Sequence, residues 1–299
     1  MVSTYKACPR KFLHEFCLRK SGEAISPHLH AGGAIAEALA VIRTAYFSGL
    51  HDKTESLVLG LKALAQYYGT YDPPEHIENK SFSRCATAVI CYFDYYGWET
   101  DTCKPMLDTK GRPLVEYTMS IPLPVNHPET GEPIIYGGRT DFLGSYYDQP
   151  TIVDDKTSSS LGAQWAGQWT LRGQFLGYAY MSTAHGIPIS TCIVRGMGLL
   201  KTEIKYQQAI VHTPRQLQER WYEELIHTVI RMTVDYENRS FGYSFADACA
   251  SYGGCSFLDV CTSSHPQDVL ETYATREWDP LHKDPTHTRE LLAAAAEAA

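Results

Sequence analysis

Two extended runs joined by a short turn constrain the fold of this 299-residue chain more than any other feature. The first run reads IIYGGRTDFLGSYY, the second reads TIVDDKT, and only DQP separates them. Such a pattern is typical of two neighbouring strands in an antiparallel hairpin. We therefore expect a β-sheet that contains this hairpin, with the turn centred between Asp148 and Gln149.

That hairpin predicts which charged side chains share a face of the sheet. In this register Asp141 lies opposite Lys156. Likewise, Leu143 lies opposite Asp154. Because side chains alternate between the two faces of a strand, Asp154 and Lys156 share one face, and Asp155 points to the other. Asp141 joins the first face as a diagonal neighbour of Asp154, at roughly 7–8 Å.

Two carboxylates and one ammonium group on one face of a sheet indicate a particular chemistry. A hard divalent cation such as Mg²⁺ takes carboxylate oxygens as ligands and keeps several water molecules. A lysine beside the ion can orient the attacking water and offset charge on a phosphorane-like transition state. The alternative is an exposed cross-strand salt bridge, worth well under about 1 kcal/mol, since D-x-K triplets are common.

The order of the predicted elements indicates an α/β protein. Helical patterns come first, then the strand group, then a helix, a strand pair and a last helix. This order is typical of a mixed central sheet flanked by helices. The predicted helices cover residues 3–20, 32–49, 54–70, 82–97, 160–184 and 214–237, and the later strand pair covers residues 190–200 and 202–211.

Nine cysteines are many for a chain whose opening lacks the apolar run of a secretory signal. No window approaches about 18 apolar residues, so we expect no membrane span, a cytoplasmic location and reduced thiols. Three cysteines form the pattern Cys249-x5-Cys255-x5-Cys261 in a glycine-containing loop. Core filling does not explain this concentration, whereas thiolates bind iron–sulfur clusters or zinc. The spacing leaves a cluster, zinc and free thiols open.

The formal net charge of −8 gives no general support to nucleic-acid binding. It does not exclude a nuclease, because a metal site itself needs clustered carboxylates. The charge is also uneven, since the first twenty residues hold one acid, Glu15, against five basic residues: Lys6, Arg10, Lys11, Arg19 and Lys20.

The run G-R-T-D-F-L, the hairpin and I-V-D-D-K-T together resemble the core of the PD-(D/E)xK nuclease superfamily. They are specifically similar to its RecB-like branch, which includes the CRISPR adaptation exonucleases. That branch carries Q-x-x-x-Y on a helix after the D-x-K strand, and here Gln174 and Tyr178 stand in LRGQFLGYAY. The i to i+4 spacing puts both on one helix face. The resemblance implies a restriction-endonuclease-like core and, since stand-alone members are often phage-encoded, a viral origin with action in the host cytoplasm.

The opening STYKACPRKF is similar to the N-terminal segment of the same branch. In that branch one N-terminal cysteine and a C-terminal trio clamp a [4Fe–4S] cluster, which contributes stability and not hydrolysis. The resemblance therefore implies a cluster, with zinc as the alternative, held by Cys8, Cys249, Cys255 and Cys261.

One part of the chain departs from the pattern of the branch. Its first metal-site helix reads glycine, three residues, histidine, whereas this chain reads HLHAGGAIAEALA. Counting from Gly32 puts Ala36 at the ligand position, and counting from Gly33 puts Glu37 there. A glutamate can replace histidine as a ligand of a hard cation, so Glu37 is the candidate.

Taken together, the resemblance implies a deoxyribonuclease that depends on Mg²⁺ or Mn²⁺ and acts on DNA ends or single strands. Lys156 would position the water, and Gln174 and Tyr178 would orient the substrate. The implied metal ligands are Asp141, Asp154, Glu37 and the backbone carbonyl of Asp155.

Two other functions remain open at this point. The first is a catalytically impaired iron–sulfur module of the same fold, which binds DNA or a helicase or recombination partner through its basic N-terminal segment. The second is a zinc-stabilised structural protein in which D-x-K is coincidental. For the domain organisation we expect one nuclease domain over residues 1–265, with a core at about 26–240, cysteine-bearing segments at 3–20 and 245–262, and a loosely packed tail at 266–299.

Overall fold

The computed structural model describes residues 1–22, 26–245, 247–250 and 254–276. These residues fall into two compact units. The first unit is built from segments within Met1–Ala24, Pro122–Tyr136 and Tyr222–Pro280, and the second from Ile25–Ile121 and Gly137–Trp221. The expected single domain over residues 1–265 stays a prediction. Among the residues described, none of the helices combines the length and the apolar character needed to cross a bilayer.

The order of helices and strands along the chain largely follows the sequence pattern. The helices are α1 (Val2–Ala7), α2 (Pro9–Phe12), α3 (Pro27–Phe47), α4 (Lys53–Tyr68), α5 (Phe82–Tyr96), α6 (Ala163–Gly167), α7 (Gly173–Ala184), α8 (Arg215–Glu237), α9 (Leu258–Thr262) and α10 (Pro266–Glu271). The strands are β1 (Lys20–Ser21), β2 (Cys103–Pro105), β3 (Val115–Asn126), β4 (Pro133–Tyr146), β5 (Gln149–Ser158), β6 (Thr191–Leu199), β7 (Ile204–His212) and β8 (Ala274–Thr275).

The main sheet has six strands in the order β2-β4-β5-β6-β7, with β3 pairing to β4 beside that path. Strands β5 and β6 run parallel, whereas the β4–β5 and β6–β7 pairs are antiparallel. A parallel pair needs a crossover connection, and α6 and α7 supply it between β5 and β6. The prediction of a mixed central sheet with flanking helices is therefore confirmed.

The hairpin between β4 and β5 turns one residue earlier than predicted. Tyr147 and Asp148 form the turn, with φ values of 47° and 61°, and Tyr146 pairs with Gln149. Positive φ at both central residues matches the right-handed twist of the two strands, which favours this two-residue turn. The expected turn between Asp148 and Gln149 is wrong.

The register correction moves each pair along by two residues. Leu143 pairs with Ile152, not with Asp154, and the last pair before the strands separate is Phe142 with Val153. The expected pairing of Asp141 with Lys156 is wrong for the same reason. A shift of two residues leaves every side chain on its face, because strand side chains alternate with a period of two. The predicted sharing of a face is therefore unaffected.

Helices α3, α4 and α5 enclose an apolar core of the second unit. Small residues on α3, such as Ala34 and Ala38, are fully buried there and let α4 approach closely. At Gly60 of α4 a Cβ atom would lie 2.2 Å from Ile42 of α3, so a side chain at this position would clash. A capping box formed by Asp52 and Glu55 fixes the start of α4.

Two predicted helices are divided in the structure. The helix expected over residues 3–20 breaks at Cys8, whose backbone is extended (φ −159°) and caps α2, and the chain continues as a π-helix at Leu13–Cys17. Pro9 starts α2, where a missing N–H costs nothing. The helix expected over residues 160–184 is divided into α6 and α7.

The first unit has its own small apolar clusters. Tyr5 and Phe12 pack with Phe241, and the Tyr5 hydroxyl donates to Asp235 at 2.6 Å. Strand β8 pairs with β1. Of the predicted tail, residues 266–276 are described, and they include a buried Leu270. The rest of the tail, residues 277–299, lies outside the described residues.

Candidate active site

The sheet divides where the acidic residues stand. Pairing between β4 and β5 ends at Phe142 and Val153, while β5 continues beside β6 as far as Ser158. Asp141 and Asp154 are the next residues on the two separating strands. The backbone N–H of Asp155 donates to Asp141 Oδ2 at 2.5 Å, where a ladder bond would otherwise lie.

A chain of polar contacts joins β5 to α7 on one face of the sheet. Asp154 is 2% exposed, and its Oδ1 atom forms an ion pair with the Lys156 ammonium group. The Gln174 amide donates to Asp154 Oδ2 at 3.1 Å and contacts the Tyr178 hydroxyl at 2.9 Å. Tyr178 in turn donates to the backbone carbonyl of Arg139 at 2.6 Å. The structure thus brings together Asp141, Asp154, Lys156, Gln174 and Tyr178.

Burial dominates the electrostatics of this group. It raises the pKa of Asp141 well above the usual range, and the nearby Asp154 and Asp155 carboxylates raise it further, while Lys156 opposes them. Burial also raises the pKa of Asp154, against the effect of Lys156. For Lys156, burial alone would lower the pKa, but Asp154 and Asp141 raise it on balance. One ammonium group thus faces one buried and one half-buried carboxylate, so a further positive charge would stabilise the site.

The side chain of Asp155 points away from this group, as the alternation predicts. Its carboxylate forms an ion pair with Arg43 of α3 at 2.6 Å and accepts a hydrogen bond from Tyr92 of α5 at 2.7 Å. The Tyr92 hydroxyl also accepts hydrogen bonds from Arg43 at 2.8 Å and Arg195 at 3.1 Å. Arg195 is itself paired with Asp101. Only the backbone carbonyl of Asp155 is left for a ligand on the other face.

The sequence did not predict this buried network. Its one local signal is Arg43, which follows Leu39 and Ile42 at helical spacing and so occupies the apolar face of α3. An arginine at such a position requires a partner, because a buried unpaired charge is costly. The partner could not be read from the sequence, since Asp155 lies on a distant strand.

A cavity of about 300 Å³ lies beside Lys156. It is lined by the start of α3, including His28, Gly32 and Ala36, and by Asp155, Lys156 and Thr157 of β5. Of the two positions considered for the family's ligand, Ala36 lines this cavity, whereas Glu37 is not among its lining residues. Glu37 as a metal ligand stays a prediction.

The cysteines predicted to act together lie close to one another in the first unit. The Cys8 sulfur accepts the backbone N–H of Lys11 at 3.4 Å, and the backbone N–H of Cys255 donates to the Cys249 carbonyl at 2.9 Å. The pKa of Cys261 is raised by burial first and then by the charges of Cys255, Cys8 and Cys249. These four thiols, from both ends of the described chain, are therefore electrostatic neighbours.

The geometry of possible metal sites is limited in the part of the chain that the structure describes. No group of three or more His, Cys, Asp or Glu side chains there is arranged to hold a metal ion. In the acidic site, the two aspartates and one backbone carbonyl suit Mg²⁺, because this ion is commonly held by one or two carboxylates and several waters.

The remaining five cysteines are buried or half-buried. Cys85, Cys103 and Cys192 are fully buried. Burial raises the pKa of Cys85 to about 11 and that of Cys192 to about 12. Cys17 and Cys91 are half-buried. Thiols with such raised pKa values are poor nucleophiles at neutral pH.

The fold and the site define a mixed α/β protein with one buried aspartate, one half-buried aspartate and a lysine where two strands of its sheet separate. The sequence matches no profile of a known protein family and no curated protein. The solved structures that are similar to this chain include two at low identity. One is described as a "Putative exonuclease" from Eubacterium rectale, with 15% identity and a TM-score of 0.47 over 83% of this chain and 85% of that chain. The other is SSO0001, with 14% identity and a TM-score of 0.34 over 88% of this chain and 96% of that one. At these TM-scores neither likeness defines an activity for this chain.

Proposed function

We propose that this protein is a metal-dependent DNA nuclease that hydrolyses phosphodiester bonds at DNA ends or in single strands. The observation that carries the proposal is the convergence of Asp141, Asp154 and Lys156, with Gln174 bonded to Asp154. The resemblance of the same residues to the RecB-like nuclease core supports the choice of reaction and substrate.

In this proposal the carboxylates of Asp141 and Asp154 and the backbone carbonyl of Asp155 hold Mg²⁺ or Mn²⁺. When bound, the ion would lower the pKa of a coordinated water and neutralise charge on the phosphate. Gln174 fixes the orientation of the Asp154 carboxylate by its hydrogen bond. Lys156, beside the same carboxylate, would orient the water and donate to a phosphate oxygen as charge develops there.

End-labelled single-stranded and double-stranded DNA, incubated with Mg²⁺ or Mn²⁺, test this function directly. We expect the wild type to shorten at least one substrate and Lys156→Ala to be slower by about 100-fold, the usual effect of losing one transition-state donor. The matched control is Lys205→Ala, which removes a surface lysine paired with Glu203 and should leave the rate unchanged. A wild type that cleaves neither substrate, or a Lys156→Ala variant that matches it, contradicts the proposal.

We also propose that Cys8, Cys249, Cys255 and Cys261 hold a [4Fe–4S] cluster, on the strength of their proximity and of the resemblance. Bound as thiolates, they would join the chain ends and stabilise the first unit. Anaerobically purified protein should be brown and contain iron and sulfide. Zinc without iron or sulfide would contradict the cluster and favour a zinc site at the same thiols.

One observation favours a second candidate, a DNA-binding or partner-binding module of the same fold without cleavage. Ala36 lines the cavity beside Lys156 at the position where the resembling branch has a ligating histidine. Loss of that ligand would weaken metal binding. Measurable affinity for DNA without cleavage under any divalent ion would support this candidate against the nuclease.

A further inference from the structure

Two neighbouring aromatic side chains of the first unit are exposed and stacked. The rings of Tyr243 and Phe245 are 5.4 Å apart between centroids and nearly parallel, at 16°. Phe245 is 91% exposed and Tyr243 is 46% exposed. Single exposed apolar side chains are common on protein surfaces, whereas adjoining exposed aromatic rings can form a binding surface.

Arg10 of α2 completes the stack. Its guanidinium carbon lies 4.4 Å from the centroid of the Tyr243 ring, within the range of a cation–π interaction. A nucleobase can stack on a guanidinium group as it does on an aromatic ring, so all three side chains suit the same kind of ligand. We refer to Arg10, Tyr243 and Phe245 as the aromatic platform.

The platform is held in place by the unit beneath it. The backbone N–H of Arg10 donates to the carbonyl of Gly242 at 3.1 Å, which ties the segment before the platform to α2. Phe241 is buried against Phe12, with ring centroids 6.1 Å apart. The exposed rings therefore extend from an anchored segment. Ordering them would cost little of the free energy of ligand binding.

The N-terminal segment that contributes Arg10 to the platform carries an excess of basic residues. The first twenty residues, which include Arg10, carry Lys6, Lys11, Arg19 and Lys20 as further basic residues against one acid, Glu15. This local excess contrasts with the net charge of −8 for the whole chain. Stacked aromatic rings in contact with a cation from a basic segment are a combination that proteins use for single-stranded nucleic acids, in which unpaired bases expose their faces.

We propose that the aromatic platform binds an unpaired base of single-stranded DNA. This inference rests on the proposed nuclease function for the identity of the nucleic acid and goes beyond it by assigning a binding surface outside the carboxylate site. Duplex DNA offers no free base face for stacking, so the platform gives the protein a preference for single strands. Phe245 supplies the exposed ring, and Arg10 holds Tyr243 below the ligand.

Binding of a fluorescein-labelled 20-nucleotide oligothymidylate, followed by anisotropy without added divalent ions, tests the platform separately from catalysis. We expect Phe245→Ala to weaken binding by about tenfold, the effect of losing one stacked base, and Phe245→Trp to retain it. The slope of log K against log salt should stay the same in Phe245→Ala, because stacking releases no counterions. Affinity for a duplex of the same length should not change.

The matched control is Tyr95→Ala, which removes an exposed tyrosine that contacts Tyr206 at 5.0 Å in the second unit. It should bind the oligothymidylate as the wild type does.

Equal affinity of Phe245→Ala and wild type would overturn the inference, while leaving the nuclease in place if the wild type still cleaves DNA. Binding that depends on Phe245 in a protein that never cleaves would support the platform and overturn the nuclease. Absence of binding by the wild type would overturn the platform. A Phe245→Ala variant that binds DNA normally but loses contact with a partner protein would overturn it as well.

Discussion

The side-chain amide of Gln174 lies 3.1 Å from Asp154 Oδ2 and 2.9 Å from the Tyr178 hydroxyl, so one glutamine links α7 to the acidic end of β5. Because Asp154 is buried, this contact fixes one of its two oxygens. The other oxygen faces Lys156. Gln174 is therefore the residue that sets the direction in which Asp154 presents its charge.

Replacing this glutamine should impair the site without changing its charge. We expect Gln174→Leu to lower the cleavage rate or the Mn²⁺ affinity by about 10–100-fold, as is usual when a residue that orients a metal ligand is lost. Metal titrations of cleavage measure the effect. Gln164→Ala on α6 is the control, since this glutamine is exposed. Full activity of Gln174→Leu would show that Asp154 needs no such partner.

Removing the arginine behind the site should destabilise the protein strongly. Arg43→Met would leave the Asp155 carboxylate buried without its cation, which typically costs about 3–5 kcal/mol of unfolding free energy. In Arg43→Met combined with Asp155→Leu the loss should be much smaller than the sum of the two single losses. The comparison is Arg215→Met, whose exposed pair with Glu219 should contribute under about 1 kcal/mol. Urea unfolding curves give all four values.

Alkaline pH should remove the stabilising contribution of Tyr5. Burial and the hydrogen bond to Asp235 raise the pKa of this phenol to about 12. The folded state therefore retains a proton that the unfolded state loses above about pH 10. The advantage of the wild type over Tyr5→Phe in unfolding free energy should be constant below about pH 10 and disappear as the pH rises through about 12. A difference that stays constant across this window would show that the Tyr5–Asp235 contact contributes nothing through the proton.

Two substitutions on α3 test which position serves the metal. Ala36→His would place an imidazole at the wall of the cavity beside Lys156, and we expect it to raise the affinity for Mn²⁺ in cleavage assays. Glu37→Ala should have little effect if Glu37 is not a ligand. The reverse result, a large loss in Glu37→Ala with no gain in Ala36→His, would assign the ligand role to Glu37.

The cysteines can be separated by their effect on visible absorption. Cys8→Ser should abolish the absorption of an iron–sulfur cluster and lower the unfolding temperature, since one ligand of four is removed. Cys91→Ser should keep both, because Cys91 is half-buried and lies outside the group of four. Absorption that survives in Cys8→Ser would place any cluster elsewhere.

The composition of the candidate site could be predicted because strand alternation depends only on parity. Asp141, Asp154 and Lys156 stay on one face because the turn lies one residue earlier than predicted, which changes the register by two. The register itself could not be predicted, because Tyr147–Asp148 lacks the Asn-Gly or Asp-Gly signal of such turns. The pairing of Arg43 with Asp155 could not be predicted either, because it depends on how α3 packs on a strand that is distant in the sequence.

The two-residue turn at Tyr147–Asp148 has a consequence for how this chain can vary. A one-residue insertion there that shifted β5 by one position against its neighbours would exchange the places of Asp154 and Asp155, so that Asp155 would face Gln174 and Asp154 would face Arg43. A two-residue insertion would restore the alternation. This hairpin should therefore tolerate insertions or deletions of an even number of residues far better than those of an odd number, in natural or engineered variants.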